Sequence, residues 1–111
     1  MKDLSNLQTY RIIGLMSGSS LDGLDMACCR LSWDGQHWHF AIEAAECASY
    51  DETWVHRLRH AHTATGRALW QLHVDFGRFS GAAVRDFITR YALRDIDAVG
   101  SHGHTVFHAP D

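Results

Sequence analysis

The sequence predicts an α/β fold in which an antiparallel three-stranded meander is followed by helices and a further strand. Three observations predict it. Apolar residues run or alternate in the first half of the chain, with turn signals between the runs, which is typical of strands. They then recur at three-to-four-residue steps, which is typical of amphipathic helices. A last short apolar run before residue 101 restores the pattern of a strand.

The three strands of the meander are placed by their apolar residues and turns. The first is expected over Tyr10–Met16 and the second over Leu24–Trp33. Asp34-Gly35, a strong hairpin-turn dipeptide, joins the second strand to a third over Trp38–Ser49. Residues 1–9 are expected to form a flexible leader outside the domain.

The middle of the chain predicts two helices. Asp51 opens a short one that runs to His60. Thr65 is expected to cap a long helix over Gly66–Tyr91, since a threonine side chain can accept a hydrogen bond from the first turn. Ile96–Gly100 is then expected to be a short buried strand. The long helix carries one apolar stripe, formed by Leu69, Leu72, Phe76, Phe79, Ala83, Phe87, Ile88 and Tyr91.

Length and composition limit the classes of protein. The 111 residues suffice for one domain and not for two lobes. No apolar segment is long enough to span a membrane, and Met1–Gln8 lacks the apolar core of a signal peptide, so we expect a cytoplasmic protein. A formal net charge of −3 argues against a nucleic-acid partner. The three cysteines, two of them adjacent, fit reduced thiols better than a disulfide framework.

The most informative segment is Gly14–Asp25, which contains three glycines, three serines and two aspartates. Successive backbone N–H groups of a glycine-rich turn can form a concavity that binds an anion, and serine hydroxyls add donors. Carboxylates beside an anion fit a bound Mg²⁺, which takes one or two carboxylates together with phosphate oxygens. The segment therefore suggests a nucleotide-phosphate and metal site, although a hairpin turn without a ligand explains the same residues. It is not a Walker A loop, because the only lysine is Lys2.

Two motifs give the chain a family resemblance. Met16-Ser-Gly-Ser-Ser-Leu-Asp-Gly-Leu-Asp25 resembles the M-S-G-T-S-L-D-G-[IV]-D signature of the anhydro-N-acetylmuramic acid kinases. Ser101-His-Gly-His-Thr-Val-Phe-His108 resembles the [SC]-H-G-Q-T-V-[FW]-H segment of the same family. Both stand in the family's order at a comparable separation, and the resemblance covers about Arg11 to Pro110.

The resemblance implies the N-terminal lobe of an actin-like, ribonuclease H-like kinase, with residues 10–111 as a partial lobe. It implies ATP-dependent phosphorylation of 1,6-anhydro-N-acetylmuramic acid with hydrolytic opening of the anhydro bridge, with ATP and Mg²⁺ as cofactors. The product is N-acetylmuramic acid 6-phosphate, in cell-wall recycling. Family members are longer and have two lobes, so the chain is expected to be a fragment that is inactive alone, with the C-terminal lobe as its partner. A homodimer of the full-length form stays open.

The resemblance also implies site residues. The ATP phosphates are assigned to the polar turn, with Asp22 and Asp25 as candidate Mg²⁺ ligands. The sugar is assigned to the second motif, and no catalytic base is assigned within this fragment. The cofactor-binding residues are Gly18, Ser19, Ser20, Leu21, Asp22, Gly23, Leu24 and Asp25, and the substrate-binding residues are His102, Gly103, His104 and Thr105.

Two departures from the family pattern leave alternatives open. Ser19 stands where the family usually has Thr, and His104 stands where it usually has Gln. The second change leaves room for another anhydro sugar, such as levoglucosan, as the substrate. A non-catalytic nucleotide- or partner-binding lobe is a further alternative. The nine histidines raise a third, a metal-binding protein. Separately, His102 and His104 would share one face of an extended segment, where the two could chelate a metal.

Overall fold

The computed structural model describes residues 8–108, which form one four-stranded sheet and two helices. A 3₁₀ turn at Ala61–Thr63 joins the two helices. In chain order the elements are β1 (Gln8–Ser17), β2 (Gly23–Trp33), β3 (Trp38–Ser49), α1 (Glu52–Arg59), α2 (Gly66–Arg90) and β4 (Ala98–His104).

The predicted α/β class and the three-stranded meander are confirmed. The sheet order is β3-β2-β1-β4, with β1–β2 and β2–β3 antiparallel and β4 parallel to β1. β1 begins at Gln8, two residues before the predicted start, and residues 1–7 of the predicted leader lie outside the described residues. A β-bulge between Cys28 and Cys29 leaves Glu43 without a pairing partner in the β2–β3 ladder.

The turn between β2 and β3 forms where Asp34-Gly35 predicts it. The Asp34 carboxylate accepts hydrogen bonds from the backbone N–H groups of Gln36 and His37, at 2.8 and 2.7 Å. Gly35 has a φ of 98°, a left-handed conformation that a glycine adopts without a steric cost. The His37 N–H, the side chain of His39 and the Gln36 N–H, in that order, lower the pKa of Asp34 to about 2.

Both helices begin at the predicted caps. The Asp51 side chain accepts a hydrogen bond from the N–H of Trp54, and Thr65 accepts one from the N–H of Ala68. The predicted apolar stripe of α2 packs on the core except at its last member: Phe87 is fully buried in a core that includes Ile13, whereas Tyr91 follows the end of the helix and is 44% exposed. No helix within residues 8–108 has the length and apolar character needed to cross a bilayer.

The two faces of the sheet differ in what covers them. On the face toward the helices, alternate residues of β1 and β2 are buried, including Ile13, Leu24 and Cys28. On the other face nothing within residues 8–108 covers the strands, and Met16, Phe40 and Ile42 are 55, 73 and 60% exposed.

The prediction of a buried strand over residues 96–100 was wrong in position and in burial. β4 starts at Ala98 and continues through His104, and its first five residues are exposed. The physical reason is its place in the sheet: β4 forms the edge beside β1, where one side of the strand has no neighbour among the described residues. His102, Gly103 and His104 therefore belong to the strand itself, and Thr105 follows it.

Candidate functional site

The polar turn between β1 and β2 presents several of its groups to solvent. The N–H of Leu21 donates to the carbonyl oxygen of Gly18 at 3.2 Å, which closes the turn. Ser19, Ser20 and Asp22 are exposed. Leu21 has a φ of 60°, a conformation that costs a non-glycine residue of order 1–3 kcal/mol and that concentrates at functional sites. The exposed hydroxyls of Ser19 and Ser20 are accessible to a ligand.

Two members of the predicted phosphate segment have structural roles instead. Leu24 is 1% exposed, so its side chain belongs to the core. Gly23 is buried against β3, where a Cβ atom would lie 2.4 Å from the carbonyl oxygen of Ala48 and 2.6 Å from the Sγ atom of Cys47. Since real Cβ atoms do not approach backbone so closely, this position requires glycine. Any contact of these two residues with a ligand is through their backbone.

The two candidate metal ligands are exposed carboxylates at the end of the sheet. Asp25 lies on the uncovered face, and Asp22 lies in the turn. The pKa of the Cys47 thiol is raised, mainly by desolvation and to a smaller extent by a hydrogen bond to the Asp25 carboxylate. Among the described residues no three His, Cys, Asp or Glu side chains come together in a way that holds a metal ion. Two carboxylates beside serine hydroxyls are nevertheless a hard-oxygen set, which suits Mg²⁺ that also binds phosphate oxygens.

The two motifs meet at one buried serine. The Ser17 hydroxyl, in a residue that is 4% exposed, lies 2.5 Å from the Tyr50 hydroxyl and 2.7 Å from the Nδ1 atom of His104. The N–H of Tyr50 also donates to the carbonyl oxygen of Asp22 at 3.2 Å. Through these bonds the polar turn, the end of β3 and the end of β4 form one connected site. Ser17 is committed to this network, whereas Ser19 and Ser20 are not.

His102 and His104 do not share a face of the strand. His104 lines a cavity that includes residues of α2, whereas His102 lines a second cavity that includes none. The cause is a shift in the β1–β4 register between Leu15 and Ser17, next to Gly103, whose φ is 75°. Strict alternation along a regular strand predicts one face, and a bulge breaks that alternation. The prediction of a shared face is therefore wrong, and the two histidines do not form a chelating pair.

The cavity beside His104, here called the α2 cavity, has a volume of about 740 Å³. Apolar side chains of α1 and α2 form most of its wall, and Ser80, His73 and the end of β4 add polar groups. Its lining residues are Leu15, Leu58, Gly66, Leu69, Trp70, Leu72, His73, Phe76, Gly77, Ser80, Ser101, Gly103, His104 and Val106. An apolar cavity with a few polar groups at one end is the usual form of a small-molecule site.

The second cavity, of about 690 Å³, lies on the uncovered side of the sheet. Gly14 and Gly100 form part of its floor, and Asp25 and His102 supply polar groups. The structure thus separates the predicted substrate residues: Gly103 and His104 line one cavity and His102 the other.

Tyr50 was missed by the sequence reasoning. It lies between β3 and α1, is 8% exposed, and stands 5.7 Å from Phe79 between ring centroids. A single polar aromatic residue directly after a strand carries no signal that separates a core residue from a site residue. The partner that gives it a role, Ser17, is distant in sequence.

The chain is similar in sequence to known proteins along nearly its whole length. The family model of anhydro-N-acetylmuramic acid kinase matches residues 10–111. Proteins with that name include one from Pseudoalteromonas atlantica, 36% identical over 104 residues, and one from Brucella abortus, 39% identical over 114 residues. The matches cover 89 and 91% of this chain, but only 26 and 29% of those relatives. A relative from Hydrogenovibrio crunogenus is 31% identical over 97% of the chain and 30% of its own length. The chain thus spans less than a third of the length of the curated relatives it matches.

Proposed function

Because this chain belongs to the anhydro-N-acetylmuramic acid kinase family, we propose that it forms part of an enzyme that phosphorylates 1,6-anhydro-N-acetylmuramic acid with ATP. The reaction opens the anhydro bridge with water and gives N-acetylmuramic acid 6-phosphate, in cell-wall recycling. The observation that supports the proposal is the hydrogen bond of 2.7 Å between Ser17 and His104, because it joins the two family motifs in one site.

On the nucleotide side, the polar turn is the element we assign to the phosphates. Its backbone N–H groups and the exposed Ser19 and Ser20 hydroxyls would donate to phosphate oxygens. Asp22 and Asp25 are the residues we assign to Mg²⁺, which when bound neutralises charge on the transferred phosphoryl group. Gly23 and Leu24 contribute by fixing the turn to the sheet. The work of these residues is positioning, which is most of what phosphoryl transfer requires.

On the sugar side, the end of β4 and the α2 cavity are the elements we assign to the substrate. Gly103 and His104 line this cavity and Thr105 follows them, so we propose these three as sugar contacts. His102 lines the other cavity and contacts the sugar only if the substrate reaches both faces of the sheet. We assign no general base within this chain and propose that it lies in the part of the family's proteins that the chain does not include.

The remaining expectations follow from the same proposal. We propose that the partner of this chain is the remainder of a two-lobe kinase. The proposal is compatible with a homodimer of the full-length form. We place the reaction in the cytoplasm, where Cys28, Cys29 and Cys47 would remain the free thiols that they are in the structure.

A second candidate keeps the chemistry and changes the sugar. His104 stands where the family usually has Gln, and it lines the proposed sugar cavity. A kinase of another anhydro sugar, such as levoglucosan, is therefore the alternative that a specific residue favours. A nucleotide- or partner-binding lobe without catalysis is the outcome that remains if no sugar is phosphorylated.

The experiment measures ATP-dependent phosphorylation by two proteins, this chain and the longest reading frame that contains it. Both are incubated with 1,6-anhydro-N-acetylmuramic acid or with levoglucosan, and the sugar phosphate is identified by mass spectrometry. We expect N-acetylmuramic acid 6-phosphate from the longer protein only. Turnover of levoglucosan alone would transfer the assignment to that sugar. If the longer protein is folded and binds ATP but phosphorylates neither sugar, the chain is instead a nucleotide- or partner-binding lobe without catalysis.

A further inference from the structure

The hydroxyl groups of Tyr50 and Ser17 form a short chain of hydrogen bonds that ends on His104. Tyr50 and Ser17 are 8 and 4% exposed, and the two contacts are 2.5 and 2.7 Å long. Each hydroxyl has one hydrogen to donate, and the imidazole carries a hydrogen on either Nδ1 or Nε2 when it is neutral. The direction of the chain therefore decides which ring nitrogen is protonated.

Counting the hydrogens gives the direction. If Nδ1 carried the hydrogen and donated it to Ser17, either the Ser17 or the Tyr50 hydroxyl hydrogen would need another acceptor. No such acceptor is recorded for either hydroxyl within residues 8–108. A buried hydroxyl hydrogen without an acceptor is unfavourable by about a tenfold factor in the equilibrium. Donation from Tyr50 to Ser17, and from Ser17 to Nδ1 of His104, satisfies every hydrogen.

The surroundings of Tyr50 hold its hydroxyl in place. Its ring lies 6.5 Å from that of Phe76 and 5.7 Å from that of Phe79, both on α2. Its backbone N–H donates to the Asp22 carbonyl oxygen. Burial raises the pKa of the phenol, which keeps it protonated and able to donate.

The imidazole is also in the form that the chain requires. Burial lowers the pKa of His104, and the smaller effect of a hydrogen bond to the Ser17 carbonyl raises it. The neutral ring with Nδ1 as acceptor leaves Nε2–H as its donor.

We propose that Ser17 is a positioning residue: held by Tyr50, it donates to Nδ1 and keeps His104 in the Nε2–H tautomer, and so gives the α2 cavity one fixed hydrogen-bond donor. The ligand group it fits is an uncharged oxygen, such as a sugar hydroxyl, a ring ether or an acetamido carbonyl. Nδ1 is occupied by Ser17, and no partner of Nε2 is recorded in the described part of the chain. Use of this donor by a sugar rests on the proposed function, whereas the tautomer does not.

The same geometry explains how histidine can stand where a glutamine would serve. A glutamine amide has a carbonyl oxygen that can accept from Ser17 and an N–H₂ group that can donate to a ligand. The Nε2–H tautomer offers the same acceptor and donor on one ring. His104→Gln is therefore the conservative variant, and His104→Leu, which keeps bulk without polar atoms, is the disruptive one.

The first test reads the tautomer directly. The chain is labelled with ¹⁵N in its histidines, and long-range ¹H–¹⁵N spectra identify the protonated nitrogen of His104 at neutral pH. We expect Nε2–H in the unchanged chain. Ser17→Ala should lower the ratio of Nε2–H to Nδ1–H by about tenfold, since it removes the hydroxyl hydrogen that Nδ1 accepts. Ser20→Ala, at an exposed serine of the same turn, is the matched control and should leave the ratio unchanged. A majority of Nδ1–H in the unchanged chain would overturn the proposal.

The second test reads the donor in the longest reading frame that contains the chain, with 1,6-anhydro-N-acetylmuramic acid and levoglucosan as probes. His104→Leu should raise KM for the sugar that is turned over by about tenfold with a smaller change in kcat, and His104→Gln should restore it. Equal KM values in both variants would overturn the ligand contact while the kinase assignment stands. Absence of any turnover would remove the proposed function, and the tautomer measurement would still decide the role of Ser17.

Discussion

Gly23 lies so close to Ala48 that a Cβ atom on the glycine would stand 2.4 Å from the alanine's carbonyl oxygen. Gly23 opens β2 directly after the polar turn, and Ala48 lies one residue before the end of β3. The polar turn is thus anchored to the sheet at a position where β3 leaves no room for a side chain. In the sequence this glycine is part of the phosphate motif, yet its strongest constraint is packing.

Substitution of this glycine tests the anchor. Gly23→Ala should lower the free energy of unfolding by about 2–3 kcal/mol, because the added methyl overlaps backbone that cannot move aside cheaply. Gly14→Ala is the matched control, since Gly14 also lies in a strand and a Cβ there meets nothing within 4 Å. Urea unfolding followed by circular dichroism measures both. Equal midpoints for the two variants would contradict the close approach.

Two serines of the same motif should differ in how much they contribute to the stability of the fold. Ser17→Ala should lower the free energy of unfolding by about 1–3 kcal/mol, because it leaves the buried Tyr50 hydroxyl without its partner. Ser20→Ala should change it by less than about 0.5 kcal/mol, because Ser20 is exposed. Thermal and urea unfolding give the comparison.

Nucleotide affinity completes that comparison. In the longest reading frame that contains the chain, Ser20→Ala should weaken ATP binding by about three- to tenfold, the loss of one hydrogen bond to phosphate. Isothermal titration calorimetry measures it. Unchanged affinity after replacing both Ser19 and Ser20 by alanine would argue against a role of these hydroxyls in phosphate binding.

The stability of the fold should depend on the charge of His104. Burial lowers the pKa of His104 below its ordinary value of 6.5, so the unfolded chain takes up this proton first as the pH falls. The contribution is fully present above pH 6.5 and is lost as the pH falls through the pKa of the folded state. The groups that face the ring are the Ser17 carbonyl and hydroxyl, the Tyr50 hydroxyl beyond it, and His73 across the α2 cavity.

The variant His104→Gln isolates this contribution. Unfolding free energies of the unchanged chain and the variant are compared at about pH 7.5 and about pH 5. The unchanged chain should lose more stability than the variant between the two, because the other histidines titrate in both proteins and cancel. An equal loss in the two proteins would mean that His104 does not change its pKa on folding.

The cap of α1 offers a test of local helix stability. Asp51→Ala should lower the free energy of unfolding by about 1 kcal/mol, because the N–H of Trp54 loses the carboxylate that accepts its hydrogen bond at 2.8 Å. Asp51→Asn retains an acceptor and should lower the free energy of unfolding by only about 0.3 kcal/mol. If alanine and asparagine destabilise the chain equally, the carboxylate's charge and not the cap is responsible.

The strands and helices could be predicted because their signals are local. Alternation over β1 to β3, the Asp34-Gly35 turn and the caps Asp51 and Thr65 each act within a few residues, and the structure forms them where they were predicted. The class of the fold follows from the order of these elements.

The errors at β4 have a different origin. β4 is exposed because it is the edge strand, and that position follows from the order of the strands in the sheet and not from residues 96–100 themselves. The faces of His102 and His104 depend on the register shift beside β1 and on the conformation of Gly103. Tyr50 gains its role only from Ser17. Each of these features is a relation between distant segments, so no window of the sequence contains it.

The parallel pairing of β1 with β4 also sets an order of folding. β1, β2 and β3 are neighbours in sequence and can pair as soon as each turn closes, whereas Ser17 and His104 are 87 residues apart. Because closing a long loop costs more entropy than closing a short one, local pairs form early and distant pairs late. During synthesis the polar turn would exist before the strand that completes it, so among these four strands the contact that joins the two motifs forms late.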